Sequence, residues 1–355
     1  MDKERVKFLQ QLMETVCPTG FEEEASRVWQ KEADRFADRT WRDTHGNTFA
    51  VVNEAGNPRV MLAGHIDEIG LMITYIDDNG YLSFTGIGGW DPQILPGQRV
   101  RIQGKEGPIL GVIGRKPIHL LQEEERKKVI KLEDLWIDIG AKDKQGAASL
   151  INIGDPAVLD YGFEVMRNDL VVARGFDDRI GAFVVLEAAR LLAKMNPKAA
   201  VYAVATVQEE IGLRGARTSA FGIDPHVGIA VDVGHATDTP GMDAEKKKVG
   251  EASMGNGPII ARGPNINPPL FKLFVDTAKK KNIPYQIEGA ARGTGTDANA
   301  IQLTRAGVAT GLLSVPNRYM HSPCEMVHLG DLENTAKLIA HTVLCINTKT
   351  DFIPS

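Results

Sequence analysis

The chain has 355 residues, 43% of them hydrophobic, enough for a full core in two domains or in one large domain with an insertion, which excludes a disordered or fibrous protein. Its 41 Lys and Arg against 46 Asp and Glu give a formal net charge of −5 with no long basic block, so neither nucleic acid nor an anionic membrane is expected as a partner. No apolar stretch is long enough to span a bilayer, and the three scattered cysteines, Cys17, Cys324 and Cys345, contain no CxxC pair. A reduced, cytoplasmic protein is the expectation.

The charged start Met1-Asp2-Lys3-Glu4-Arg5 lacks the apolar core of a signal peptide and leads into Val6, Leu9, Met13 and Val16 at helical spacing. Pro18-Thr19-Gly20 ends that helix, and a second helical pattern covers 22–36. Residues 59–63 read as a buried strand ending at Gly64 and His65. The stretch from about 70 to 160 differs: short β-rich runs at 70–76, 81–86, 98–103, 109–113 and 135–139 alternate with turn signals such as Asp78-Asn79-Gly80, predicting a β-barrel-like insertion. Beyond it the pattern alternates: helix 179–194, strand 200–207, short helix 216–221, strand 227–231, helices 269–281 and 297–304, strand 308–315 and a final helix 332–346. Apolar strands alternating with helices imply an α/β fold, a mostly parallel sheet flanked by helices on both faces. Residues 123–128 and Lys246-Lys247-Lys248 read as solvated faces.

Glu209 and Glu210 follow the strand at 200–207 directly. Two neighbouring carboxylates repel, and ionising both is costly unless a cation or a proton offsets the charge; the plain alternative is a solvated turn. His65 and Asp67 form H-x-D at the end of the first buried strand, a pattern in which a carboxylate can orient a metal-binding imidazole. Asp177-Asp178 opens a helix, where N-capping is the ordinary explanation. Asp232 ends an apolar run and needs a partner if buried, and His321 follows the strand at 308–315 and its loop. His65, Glu209, Glu210, Asp232 and His321 all come after predicted strands, so in a parallel sheet they gather in the crevice at the strands' carboxyl ends. Two histidines with several carboxylates suit zinc, cobalt or manganese, and the carboxylates exceed what one zinc needs, so two ions sharing a bridging carboxylate would satisfy them. Such a site polarises a carbonyl and activates water while a free carboxylate takes the proton.

Several segments together resemble the tetrahedral, dodecameric (TET-type) dinuclear metalloaminopeptidases, a family that includes glutamyl and deblocking aminopeptidases and cellulase-M-like proteins. They are Ala63-Gly64-His65-Ile66-Asp67-Glu68-Ile69-Gly70-Leu71-Met72, Phe176-Asp177-Asp178-Arg179, the run from Ala205 through Gln208-Glu209-Glu210 to Ala216, Gly295-Thr296-Asp297-Ala298, and Ser314-Val315-Pro316 with Arg318-Tyr319-Met320-His321-Ser322. The resemblance covers nearly the whole length. It implies a zinc-peptidase-like catalytic domain over 1–69 and 161–355, with an inserted β-rich dimerisation domain over 70–160. It implies His65 and Asp232 as ligands of separate metals, Asp177 as the bridge, Glu210 and His321 completing the shells, Glu209 as general base and Asp67 holding His65. The choice of Asp177 over Asp178 comes from the resemblance alone. Two divalent ions per subunit (Zn2+ or Co2+, or Mn2+), peptide substrates and a homododecamer built from dimers are implied with it. One departure is Thr294, standing where relatives commonly carry glycine in a loop near the substrate pocket, which bears on specificity.

Cys324, three residues after His321, reads as a small buried thiol rather than a ligand. His45, His119, His328 and His341 are not expected to be ligands, and His235 is nearer the site but expected outside it. Arg292 is the candidate basic group for an acidic substrate. The rival functions are a dinuclear carboxypeptidase or amide deacylase, a metal-free endoglucanase, whose chemistry has no use for His65 and His321, and a non-catalytic binding protein.

Overall fold

A computed structural model describes residues 1–354. Helix α1 (Lys3–Glu14) starts at Asp2, whose side chain accepts from the Arg5 N–H, and α2 (Glu23–Ala33) follows. Strands β1 (Arg39–Arg42), β2 (Thr48–Val52) and β3 (Arg59–His65) begin the central sheet. The first two carried too little periodicity in four or five residues to be predicted.

The chain then forms a closed antiparallel barrel from β4 (Gly70–Ile76), β5 (Leu82–Ile87), β6 (Arg99–Gly104), β7 (Gly107–Gly114), β8 (Trp136–Asp138) and β9 (Pro156–Leu159), in the order β4-β5-β8-β7-β6-β9. Alternate residues such as Leu71, Ile73, Val100, Ile102 and Ile137 point inward and give it a core of its own. Helices α3 (Glu123–Arg126) and α4 (Lys144–Leu150) lie in its connections.

After the barrel come β10 (Glu164–Val165) and β11 (Leu170–Ala173), then α5 (Phe176–Ala193), β12 (Ala200–Thr206), α6 (Arg214–Ile223) and β13 (Val227–His235). The last third holds α7 (Lys246–Val249), β14 (Ile259–Arg262), α8 (Pro268–Lys281), β15 (Gln286–Gly289), α9 (Asp297–Ile301), β16 (Ala309–Asn317), β17 (Glu325–His328) and α10 (Leu329–Val343). The eight-stranded sheet has the order β1-β2-β12-β3-β13-β16-β14-β15. Its four middle strands, β12, β3, β13 and β16, run parallel, while β2 and β14 join them antiparallel. Helices α1, α2, α5, α8 and α10 bury Leu9, Trp29, Phe183, Phe274 and Leu338 against one face, and α6 and α9 bury Ala216, Ala220, Ala298 and Ile301 against the other. The α/β expectation with an inserted barrel holds.

Close packing of β3 on α5 sets up the site. A Cβ at Gly64 would collide with the backbone of Gly181, and a Cβ at Gly181 would strike the Asp178 carboxylate. With glycine at both positions, Asp178 Oδ2 accepts from the His65 N–H at 3.1 Å while Oδ1 accepts from Gly181 N–H at 3.0 Å. Beside them, buried Glu68 pairs with Arg179 at 3.1 Å and Arg174 at 3.4 Å, and Arg179 donates to the carbonyls of Leu12, Met13 and Thr15 at the end of α1.

Candidate active site

The sheet's four parallel strands deliver the site from their carboxyl ends. His65 is the last residue of β3, Glu209 and Glu210 sit on the turn after β12, and His321 lies in the loop between β16 and β17. Asp232 corrects the sequence reading: it lies inside β13, which continues through Val233, Gly234 and His235 paired with Val315, Pro316 and Asn317. Its side chain still faces the crevice. All five expected ligands converge there with Glu209 and Asp67.

Asp177 stands at the centre. One oxygen, Oδ1, is 3.3 Å from His65 Nε2, and the other, Oδ2, is 3.2 Å from His321 Nε2. His321 Nε2 is also 3.6 Å from Glu210 Oε1, and His65 Nε2 is 3.7 Å from Glu209 Oε2. His65, Asp177 and Glu210 bring ligand atoms within 4.8 Å of one another, and so do His65, Asp178 and Asp232. Asp178 already spends both oxygens on backbone N–H groups, so its capping role is the one observed.

The other ring nitrogens are fixed as well. His65 Nδ1 lies 3.1 Å from the Asp67 carbonyl and 3.5 Å from its Oδ1, and His321 Nδ1 lies 2.8 Å from the Gly89 carbonyl, which comes from the barrel after β5. Asp67 also accepts from Thr19 Oγ1 at 2.8 Å and from the backbone N–H groups of Glu209 and Glu210 at 3.2 and 3.3 Å. It therefore organises both the histidine and the glutamate turn. Three residues that the sequence reading left without a role complete the scaffold. Glu325 accepts from the N–H groups of Asp177 and His321, Glu22 accepts from the N–H of Gln208 at 3.1 Å, and Asp297 accepts from Thr206 Oγ1 at 2.5 Å. Asp297 lies within the segment Gly295-Thr296-Asp297-Ala298, whereas Glu22 and Glu325 carry no local signal in the sequence.

The electrostatics explain what the cluster needs. Burial pushes Glu209 up to about 10 and Glu210 up to about 8, and raises Asp232 well above the carboxylate range. Burial also opposes ionisation of Asp177, yet hydrogen bonds from His321 and His65 hold it below its usual range. His65, despite burial that disfavours its charge, is raised well above 6.5 by Glu209, Asp177 and Asp67. Glu210 Oε1 is buried and accepts no hydrogen bond. A surplus of buried carboxylates, an orphaned oxygen and two imidazoles held by their far nitrogens form a donor set that fits divalent metal.

The cluster opens into a cavity of about 560 Å3 whose wall includes His235, Lys248, Ala261, Glu288, Arg292 and Thr294. His235 thus borders the site, contrary to expectation, whereas His45, His119, His328 and His341 do not line it. Cys324 is exposed, not buried as expected, and all three cysteines are free, Cys345 exposed and Cys17 buried. Thr294 is pinned: its Oγ1 is 3.0 Å from Asn299 Oδ1 and 2.9 Å from Thr296 Oγ1, and its N–H donates to Asn299 at 3.0 Å. A larger cleft of about 870 Å3 lies at the opposite ends of the strands, beside Arg59, Asp224 and Thr310, and holds none of the carboxylate cluster.

Residues 46–338 match the family model described as M42 glutamyl aminopeptidase. The chain belongs to this family. The lysyl aminopeptidase of Pyrococcus furiosus is 41% identical over 320 residues, 90% of each chain. A TET aminopeptidase from a marine sediment archaeon of the Thaumarchaeota superposes with a TM-score of 0.93 at 35% identity over 98% of each chain. The TET1 peptidase of Pyrococcus horikoshii, which can assemble into a tetrahedron or a large octahedral shell, superposes with a TM-score of 0.86 at 34% identity over 96% of this chain and 100% of that one. This M42 protein is a metal-dependent aminopeptidase, a hydrolase of peptide bonds using divalent metal. The carboxypeptidase, deacylase, endoglucanase and binding-protein alternatives are not favoured by these matches.

Proposed function

We propose that this aminopeptidase holds two divalent ions, one by His65 and Asp232 and the other by Glu210 and His321, with Asp177 shared between them. The observation that carries this is the division of the Asp177 carboxylate, one oxygen toward each histidine. The resemblance implied separate ions for His65 and Asp232; Glu210 Oε1 lies 3.6 Å from His321 Nε2, which supports pairing those two on one ion and leaves Asp232 to join His65 on the other. Bound metal supplies Lewis acidity toward the scissile carbonyl and lowers the pKa of attacking water. Glu209 takes the proton from that water and returns it to the leaving amine. Its carboxylate is buried, borders the cavity and lies 3.7 Å from His65, a place from which it can reach the reacting atoms without being spent as a ligand. Asp67 keeps His65 and the glutamate turn in register.

The ligand set suits Zn2+, Co2+ or Mn2+. Residues 1–69 and 161–355 form the catalytic domain in this reading, and residues 70–160 a barrel through which subunits pair on the way to a dodecamer, supported by the assembly of the Pyrococcus horikoshii relative. A cytoplasmic location is supported by three free cysteines. The test is a panel of aminoacyl chromogenic substrates run on chelated protein reloaded with each metal, beside acetylated and carboxyl-blocked peptides. Cleavage confined to free-amine substrates and restored by two metal equivalents is expected; cleavage of the acetylated form would overturn it.

A further inference from the structure

We propose that Glu288 selects the amino-terminal side chain of the substrate and favours a cationic one, lysine or arginine. This rests on the active-site assignment above and adds a substrate class to it. Glu288 belongs to β15, the edge strand, directly opposite Ala261 of β14. Ile260 pairs with Leu313, which sets Ala261 beside Leu312 of β16, and Leu312 pairs with Ala230, two residues before Asp232 on the same face of β13. Leu312, Ala261 and Glu288 all line the cavity together with Asp232. The sheet thus forms a trough that starts at the carboxylate cluster, crosses two apolar side chains and ends at a carboxylate three strands away, about 14 Å laterally. A side chain with a methylene stem and a charged tip matches that sequence of surfaces.

Glu288 is half-buried and has no hydrogen bond or ion pair among the described residues. Burial raises its pKa, and no neighbouring cation opposes the shift. Two cations do border the same cavity. Lys248 is exposed and already bound to Glu245 at 2.9 Å, and Arg292 is exposed. Exposed charges are screened by water and salt, whereas a half-buried carboxylate without a partner gains most from an incoming ammonium or guanidinium. The charge that decides selectivity is therefore the negative one.

The test compares lysyl, norleucyl and glutamyl chromogenic substrates on metal-loaded wild-type enzyme and on Glu288→Gln and Glu288→Asp. Wild type should prefer lysyl over norleucyl, and Glu288→Gln should cut that ratio of kcat/KM by about ten- to a hundredfold, the worth of a charge-assisted hydrogen bond. Glu288→Asp, which keeps the charge, should retain a lysyl preference. Calorimetric titration with lysine amide and norleucine amide reads the pocket without turnover. Tighter binding of lysine amide, lost in Glu288→Gln, supports the assignment even if no substrate is cleaved, an outcome that would instead count against the aminopeptidase chemistry. A wild-type preference for glutamyl substrate, which would point to Arg292, overturns it, as does a lysyl-to-norleucyl ratio unmoved by Glu288→Gln.

Discussion

The backbone N–H of Asp177 donates to Glu325 Oε2 at 2.9 Å, joining residues 148 apart in sequence. The other oxygen of Glu325 accepts from His321 N–H at 2.8 Å, so one buried carboxylate holds both Asp177 and His321. Glutamine at this position offers a single acceptor oxygen and sets an NH2 donor against the second N–H. Glu325→Gln is expected to weaken metal binding about ten- to a hundredfold and to cost about 1–3 kcal/mol of stability. Chelator competition and thermal unfolding measure the two; wild-type metal affinity in the variant would exclude the clamp.

Glu209 and Glu210 are both carboxylates whose pKa burial raises, and their proposed roles differ. Glu209→Gln should keep its full metal complement and lose about a hundred- to ten-thousandfold in kcat, the usual contribution of a general base. His65→Ala and Asp232→Asn should lose metal as well as turnover. Metal analysis beside steady-state kinetics separates the cases, and near-normal turnover of fully loaded Glu209→Gln would remove Glu209 from the mechanism.

The contrast between these residues shows how far the sequence carries. His65, Glu209, Asp232 and His321 were legible because each stands near the end of a long apolar strand, and parallel strands bring such ends together whatever the details of the fold. Glu325 was not legible, because its partners lie in distant segments and β17 is a four-residue strand with no alternation to betray its place. The same holds for Glu288: β14 and β15 are four residues each at the sheet edge, too short to carry a period. The barrel was readable as a run of short strands with turns between them, but not its closure, which depends on β9 pairing with both β4 and β6.

Asp297 carries a pH signature. It is fully buried, one oxygen accepts from Thr206 and the other has no partner, and burial pushes its pKa from 3.8 up to about 6. A carboxyl whose pKa rises on folding binds more protons in the native state, so its contribution is full below pH 3.8 and is lost as pH climbs through 6. The loss is bounded at about 3 kcal/mol. Relative to Asp297→Asn, which cannot ionise, chelated wild-type protein should lose stability between pH 4 and pH 7. Denaturant titrations of both proteins across that range should therefore show a pH-dependent gap, and parallel curves would mean that Asp297 titrates normally.

The barrel exposes large apolar side chains, among them Leu110, Ile118, Leu120 and Val129, the last 68% exposed. Isolated exposed hydrophobics are ordinary, but four on one small barrel fit a surface that another copy of the chain covers. None of the four belongs to the barrel's inward core, so replacing them should disturb association and not folding. Leu120→Glu combined with Val129→Glu places two carboxylates where the partner barrel would pack, and a symmetric contact would meet each of them twice. The variant is expected to keep the thermal stability of an isolated subunit and to elute as smaller particles in light-scattering chromatography. Assembly at wild-type mass would show that subunits pair through some other face.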